Sequence, residues 1–123
     1  HFLSDTSARF GGKEMAPPGL VLLAAGIGFC YMTQLARFAK MAKQDLKSYA
    51  ITQDMWFGLP GASGGTDAQA TAGAAVTHVH LEMGADADAR LVTDMAARMC
   101  FLHSACAASL KTKVSLAGVE AAA

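Results

Sequence analysis

The sequence predicts an α+β fold, with an antiparallel sheet packed against a long central helix and a second helix. Three observations predict it. The run from Pro17 to Lys43 reads as one long helix, apolar in its first half and amphipathic in its second. Val76–Met83 alternates strictly between apolar and polar residues, the pattern of a half-buried antiparallel strand. A second helical run starts at Ala89 behind Asp86 and Asp88, both suited to capping its amino end. Helices and strands are segregated along the chain, which argues for α+β and against a parallel α/β sheet. A length of 123 residues predicts a single domain over residues 1–123.

In order along the chain, His1 to Met15 is polar, with a short strand expected at Ala8-Arg9-Phe10. Pro18 suits the start of the long helix, where its missing N–H costs nothing. Arg37, Lys40 and Lys43 recur at i, i+3 and i+6 as a solvated stripe, while Leu35, Phe38, Ala39 and Ala42 face inward. The helix is expected to enter the core with its apolar first half, placing Cys30 at its most buried point, and to end near Asp45. Leu46 to Phe57 alternates roughly through Tyr49, Ile51 and Trp56 and reads as a strand. The stretch at about 58–73 is rich in Gly, Ser, Ala and Thr and reads as a flexible loop. In the next strand Val79, Leu81 and Met83 share one face, and His78, His80 and Glu82 the other. The second helix runs from Ala89 through Cys100 to about Leu110, and Lys111 to Ala117 closes the chain as a last strand.

Composition excludes several classes. Ten basic and ten acidic residues cancel and form no cluster that would neutralise phosphates, so no nucleic-acid partner is expected. Leu20 to Ala36 carries no formal charge over 17 residues, at the short limit for a membrane span. Thr33 and Gln34 lie inside it, and a buried soluble helix is the expectation, with no membrane partner. Three cysteines at wide spacing do not form a secreted disulfide framework, and a cytoplasmic, reducing location is expected.

Cys30 and Cys100 both fall in apolar helical settings. Two readings stand side by side. Both can be inert core residues, since free cysteine is among the most buried residue types. Alternatively one thiolate attacks a peroxide O–O bond, becomes a sulfenic acid, and condenses with the other thiol. That chemistry needs a lowered thiol pKa. Cys30 lies too far into its own helix for the amino-terminal dipole, so a cation is expected to do it, with Arg9 or Lys13 nearby in sequence. His78-x-His80-x-Glu82 reads as a solvated strand face, and no metal is expected. Cys106 reads as a small core residue, His103 as a capping or interface group, and the seven methionines as core fillers.

Pro18-Gly-Leu-Val-Leu-Leu-Ala-Ala-Gly26-Ile-Gly-Phe-Cys30 resembles the helix signature of the OsmC/Ohr family, in which a proline opens a long helix running into the reactive cysteine. Arg98-Met-Cys100-Phe-Leu-His103-Ser resembles the family's second cysteine segment, and Lys113-Val-Ser-Leu116 its closing strand. The resemblance implies an OsmC-like fold as an intertwined homodimer with the long helices at its centre. It implies a thiol-dependent peroxidase, an antioxidant stress-response protein, that reduces organic hydroperoxides. Cys30 would be peroxidatic and Cys100 resolving, with Arg9 the candidate activating cation. Leu20, Leu23, Phe29 and Met32 would line an apolar substrate site. No cofactor is expected; recycling would fall to a lipoylated protein or another dithiol reductant.

Two departures favour an alternative. Leu20 stands where the family carries a glutamate, ten residues before the cysteine. The family's N-terminal strands have little room here and are expected to be truncated or supplied elsewhere, as in one half of a longer member. The alternative is a catalytically inactive OsmC-like module for dimerisation or apolar-ligand binding.

Overall fold

Pro18 opens the long helix from just outside it: its carbonyl accepts the N–H groups of Val21 and Leu22 at 2.9 and 3.1 Å. Helix α1 then spans Gly19–Met41. The computed structural model describes residues 1–58 and 70–108, together with the backbone of strands Lys113–Leu116 and Val119–Ala122. Strand β1 is Leu46–Asp54, β2 Phe57–Gly58, β3 Thr71–Ala72 and β4 Val76–Met83. Helices α2 (Ala89–Met99) and α3 (Phe101–Ala107) follow, then β5 (Lys113–Leu116) and β6 (Val119–Ala122). The fold is α+β, as expected.

α1 stops short of Asp45 because its end is closed by backbone bonds. Gln44 N–H reaches back to the Ala39 carbonyl at 2.8 Å and Lys43 N–H to that of Lys40 at 3.2 Å, with Lys43 left-handed at φ 52°. This is the paired closure that glycine usually serves. Gln44 then ties two helix ends together. Its Oε1 accepts the Asp88 N–H at 2.6 Å and its Nε2 donates to the Ala42 carbonyl at 3.1 Å. Asp88 in turn caps α2, accepting the Leu91 N–H at 3.0 Å.

β1 and β4 pair antiparallel, with Tyr49 opposite Leu81 and Ile51 opposite Val79. The alternation expected for β4 is present: Val79, Leu81 and Met83 pack on the core, while His78, His80 and Glu82 are exposed. Instead of one sheet, the described residues form three two-stranded ladders, β1–β4, β2–β3 and β5–β6. Trp56 lies beyond the end of β1 and is 63% exposed. Of the expected loop, residues 59–69 lie outside the described residues, and its ends are clamped by the β2–β3 pair. The expected closing strand is present as β5, but it pairs with β6, which alternation did not predict.

The core joins α1, α2 and the inner face of β1–β4. Leu35, Val92, Ala96 and Cys100 are fully buried, with Tyr31 and Ala39 beside them. Val92, Ala96 and Cys100 repeat at i, i+4 and i+8 as the inward stripe of α2. β1 packs over α1 at Gly28, whose Cβ position lies at ordinary contact distance, 3.9 Å, from Ile51 Cγ2.

Four expectations are corrected. Ala8–Phe10 is a 3-10 turn, not a strand, because the Asp5 carboxylate gathers the N–H groups of Thr6, Lys13 and Met15 and curls this segment on itself. Gly12 packs so close to the Thr6 carbonyl that any Cβ would overlap it. The second helix does not run unbroken to Leu110. It breaks at Cys100 (φ −78°, ψ 111°), which ends α2 and begins α3. The first half of α1 is not in the core of this chain: Leu20 and Leu23 are 49% and 41% exposed, and burial starts at Ile27. Cys106 is exposed, and of the methionines Met83 packs on the core while Met15, Met41 and Met99 are exposed.

Candidate functional site

The break at Cys100 builds the site. It turns the chain so that α3 runs along α1, with Leu102 Cδ1 at 3.6 Å from the Cβ position of Gly26. The first N–H groups of a helix have no partner within it. Here the amides of Leu102 and Phe101 face the Cys30 thiol. The Leu102 N–H is the main cause that holds the Cys30 pKa below the ordinary thiol value, with the neighbouring Cys100 thiol and the Phe101 N–H adding to it against partial burial.

Cys100 behaves oppositely. Burial is the main cause that pushes its pKa up; the amides of His103 and Leu102 ease it, and the Cys30 thiol adds to the rise. The structure therefore brings the two cysteines into mutual contact as free thiols, one half-buried and easily ionised, one fully buried and hard to ionise. The thiolate is the nucleophilic form, and the opposed shifts favour ionisation of Cys30 over Cys100.

Tyr31 backs the pair. Its hydroxyl donates to the Thr93 carbonyl at 3.0 Å, crossing from α1 to α2. Its ring lies 5.3 Å from that of His103, tilted by 44°, so His103 serves the α1–α3 contact. Burial first, then the charges of Asp94 and Cys100, push the Tyr31 pKa up, so the phenol stays neutral.

The other sequence-derived site residues are placed as follows. Arg9 sits exposed in the 3-10 turn, its guanidinium 5.8 Å from the Phe10 ring centroid. Within this chain the groups that lower the Cys30 pKa are chiefly backbone amides at the start of α3, a helix start that nothing in Met99-Cys100-Phe101 signals in the sequence. Leu23 lies seven residues before Cys30 and so on nearly the same line of α1, about 20° around the axis. Leu20 and Phe29 lie about 80° and 100° from it, at 49% and 67% exposure. Met32 lies about 160° away, on the other side of the helix.

The histidine strand carries local contacts only. His78 Nε2 meets Asp54 Oδ2 at 2.9 Å, and Ser48 donates to Glu82 at 2.8 Å. Among the described residues no group of three or more His, Cys, Asp or Glu is arranged to hold a metal ion.

Comparison with known proteins agrees with the α+β fold. A family profile described as OsmC-like protein matches residues 11–115. An OsmC-like hydroperoxide resistance protein from Jannaschia sp. CCS1 has a similar fold, with TM-score 0.73 and 20% identity over 89% of this chain and 74% of that one. An organic hydroperoxide resistance protein OsmC from Legionella pneumophila gives 0.64 and 20% over 82% and 69%. An OsmC-like protein of unknown function from Vibrio cholerae gives 0.64 and 13% over 85% and 70%. No curated protein sequence matches the chain.

Proposed function

Since the chain belongs to the OsmC-like family, we propose that it reduces organic hydroperoxides through its paired thiols, Cys30 peroxidatic and Cys100 resolving. The observation that carries this reading is the opposed tuning of two touching thiols at the start of α3. The Cys30 thiolate attacks the terminal oxygen of R–O–O–H. An S–O bond forms, the O–O bond breaks, and the alkoxide leaves and takes a proton from water as alcohol. Cys100 then attacks the sulfenic sulfur; an S–S bond forms and water leaves. A dithiol, such as a lipoylated protein, returns two electrons and two protons. Arg9 is kept as a candidate activator in the assembled protein, and Leu20, Leu23, Phe29 and Met32 as candidate substrate contacts.

The homodimer belongs to the same reading. α1 is long and apolar enough to cross a membrane by length and composition, yet only 28% of its most apolar window is buried within one chain. Leu20, Leu23 and Ile27 continue one face that goes bare only because α2 and the sheet end. A second copy crossing α1 would cover it and would let residues on opposite sides of the helix, such as Cys30 and Met32, serve a shared site. A cytoplasmic dimer is the setting proposed.

The test is intact mass and thiol mapping after one equivalent of cumene hydroperoxide without reductant. A rapid Cys30–Cys100 disulfide with Cys106 still free is expected. Scattered methionine oxidation with both thiols free would sink the reading. It would favour a silent module for dimerisation or apolar-ligand binding, for which Leu20, in place of the family's glutamate and exposed, is the supporting observation.

A further inference from the structure

Gln34 is out of keeping with its surroundings. It lies on α1 in a buried stripe otherwise made of Ile27, Tyr31, Leu35 and Phe38. It is 6% exposed, the one buried polar side chain among the described residues, and its Oε1 has no hydrogen-bond partner among them. A buried, unsatisfied carbonyl costs stability that an apolar residue of the same shape would not. The group is an acceptor, so only a donor satisfies it.

Position indicates the donor. Gln34 is four residues beyond Cys30, about 40° around the helix and about 6 Å along it. Helical side chains tilt towards the amino end, so a residue at i+4 overlies the turn that carries residue i. The amide of Gln34 thus lies over the turn that bears the reactive thiol. A thiolate has no proton to give. A hydroperoxide at that sulfur has one, on its terminal oxygen.

We propose that Gln34 is a positioning residue for the terminal O–H of the hydroperoxide, on the reading given under the previous heading. Its Oε1 accepts a hydrogen bond from the oxygen that Cys30 attacks. That oxygen keeps its hydrogen throughout: it is the terminal O–H of R–O–O–H before the S–O bond forms, and the O–H of the Cys30 sulfenic acid after the alkoxide has left. One hydrogen bond therefore spans the step, and the orphaned acceptor is satisfied only while substrate or sulfenic acid is present.

The test uses Gln34→Met, which keeps the shape and removes the acceptor. Expected are an unchanged or higher Tm, an unchanged pH profile for alkylation of Cys30 by iodoacetamide, and oxidation of Cys30 by cumene hydroperoxide slowed about tenfold, the worth of one hydrogen bond. Oxidation at the wild-type rate overturns the proposal, as does a matching fall in alkylation, which would mean a structural role. A second measurement does not depend on that variant. In Cys100→Ser protein, which accumulates the sulfenic acid, the Gln34 side-chain carbonyl resonance is expected to shift on oxidation; no shift overturns the proposal. Wild-type protein separates the two ideas: if its Cys30 resists hydroperoxide, the hydroperoxide reading falls and takes this one with it. If wild type and Gln34→Met react alike, only the role of Gln34 falls.

Discussion

The two halves of α1 are built from similar residues and end in different places. From Ile27 to Ala39 the helix buries seven residues against α2 and the β1–β4 sheet. From Gly19 to Gly26, Leu20, Val21, Leu22 and Leu23 remain 40% to 53% exposed. Apolar content is therefore not what decides burial here; the reach of the neighbouring elements is. An isolated exposed leucine needs no explanation, but a run of them continuous with a core stripe is the surface that the proposed dimer would cover. The thiol pair sits at the boundary, where α3 is the last element of the chain to touch α1.

The largest expected effect lies in the buried half. Leu35→Ala should cost about 2–5 kcal/mol in urea denaturation, the range for a fully buried leucine; a cost below 1 kcal/mol would show that the contrast between the halves is overstated. In the exposed half, Leu23→Glu should weaken self-association about a hundredfold or more, because it would bury an unpaired carboxylate between copies. Sedimentation equilibrium checks it, and an unaltered mass would break the comparison by showing that face free. At the boundary, Leu102→Pro removes the N–H that does most to lower the Cys30 pKa, while Leu102→Ala keeps it. Alkylation of Cys30 at neutral pH should be slower in the proline variant than in the alanine one, as the Cys30 pKa moves back towards the ordinary thiol value. Wild-type alkylation should rise with pH through a midpoint below the ordinary thiol value.

Two smaller effects sharpen the comparison at the ends of α1. Lys43→Gly relieves a left-handed φ of 52° and should stabilise the protein by about 0.5–1 kcal/mol, net of glycine's greater freedom when unfolded. At the other end, three backbone N–H groups hold the Asp5 pKa below its ordinary 3.8, that of Met15 first. A depressed carboxyl pKa contributes order above the ordinary value that is lost as pH falls through the depressed one. Protection of the Lys13 and Met15 amides, relative to exchange of a free chain at the same pH, should therefore fall below about pH 4 with α1 still protected; loss of α1 protection in step would show that the loop and the exposed half melt together.

Much of the frame is legible in the residues. The length of α1, the register of β4, the Asp88 cap and the inward set of Leu35, Phe38 and Ala39 all follow from local periodicity, which long elements display strongly. What is hidden is decided by distant contacts. Cys100 adopts an extended conformation without glycine or proline because α3 packs at Gly26, a contact 76 residues away in sequence. The Leu102 and Phe101 amides that lower the Cys30 pKa follow that break, so a reading that runs one helix past Cys100 looks for a cation instead. Ala8–Phe10 has a strand-like look over three residues, too few to outweigh the pull of Asp5 on three backbone amides.

Gln44 joins the carboxy end of α1 to the amino end of α2, and the cysteines lie far along each helix from that joint. The two helices work like a pair of callipers with Gln44 at the pivot. Cys30 stands 14 residues from it, about 21 Å along the helix. A change of about 5° at the pivot moves the tip by roughly 2 Å, as much as the whole length of an S–S bond. Accuracy at the sulfurs is thus partly a matter of leverage, set by an amide side chain at the far end of both helices.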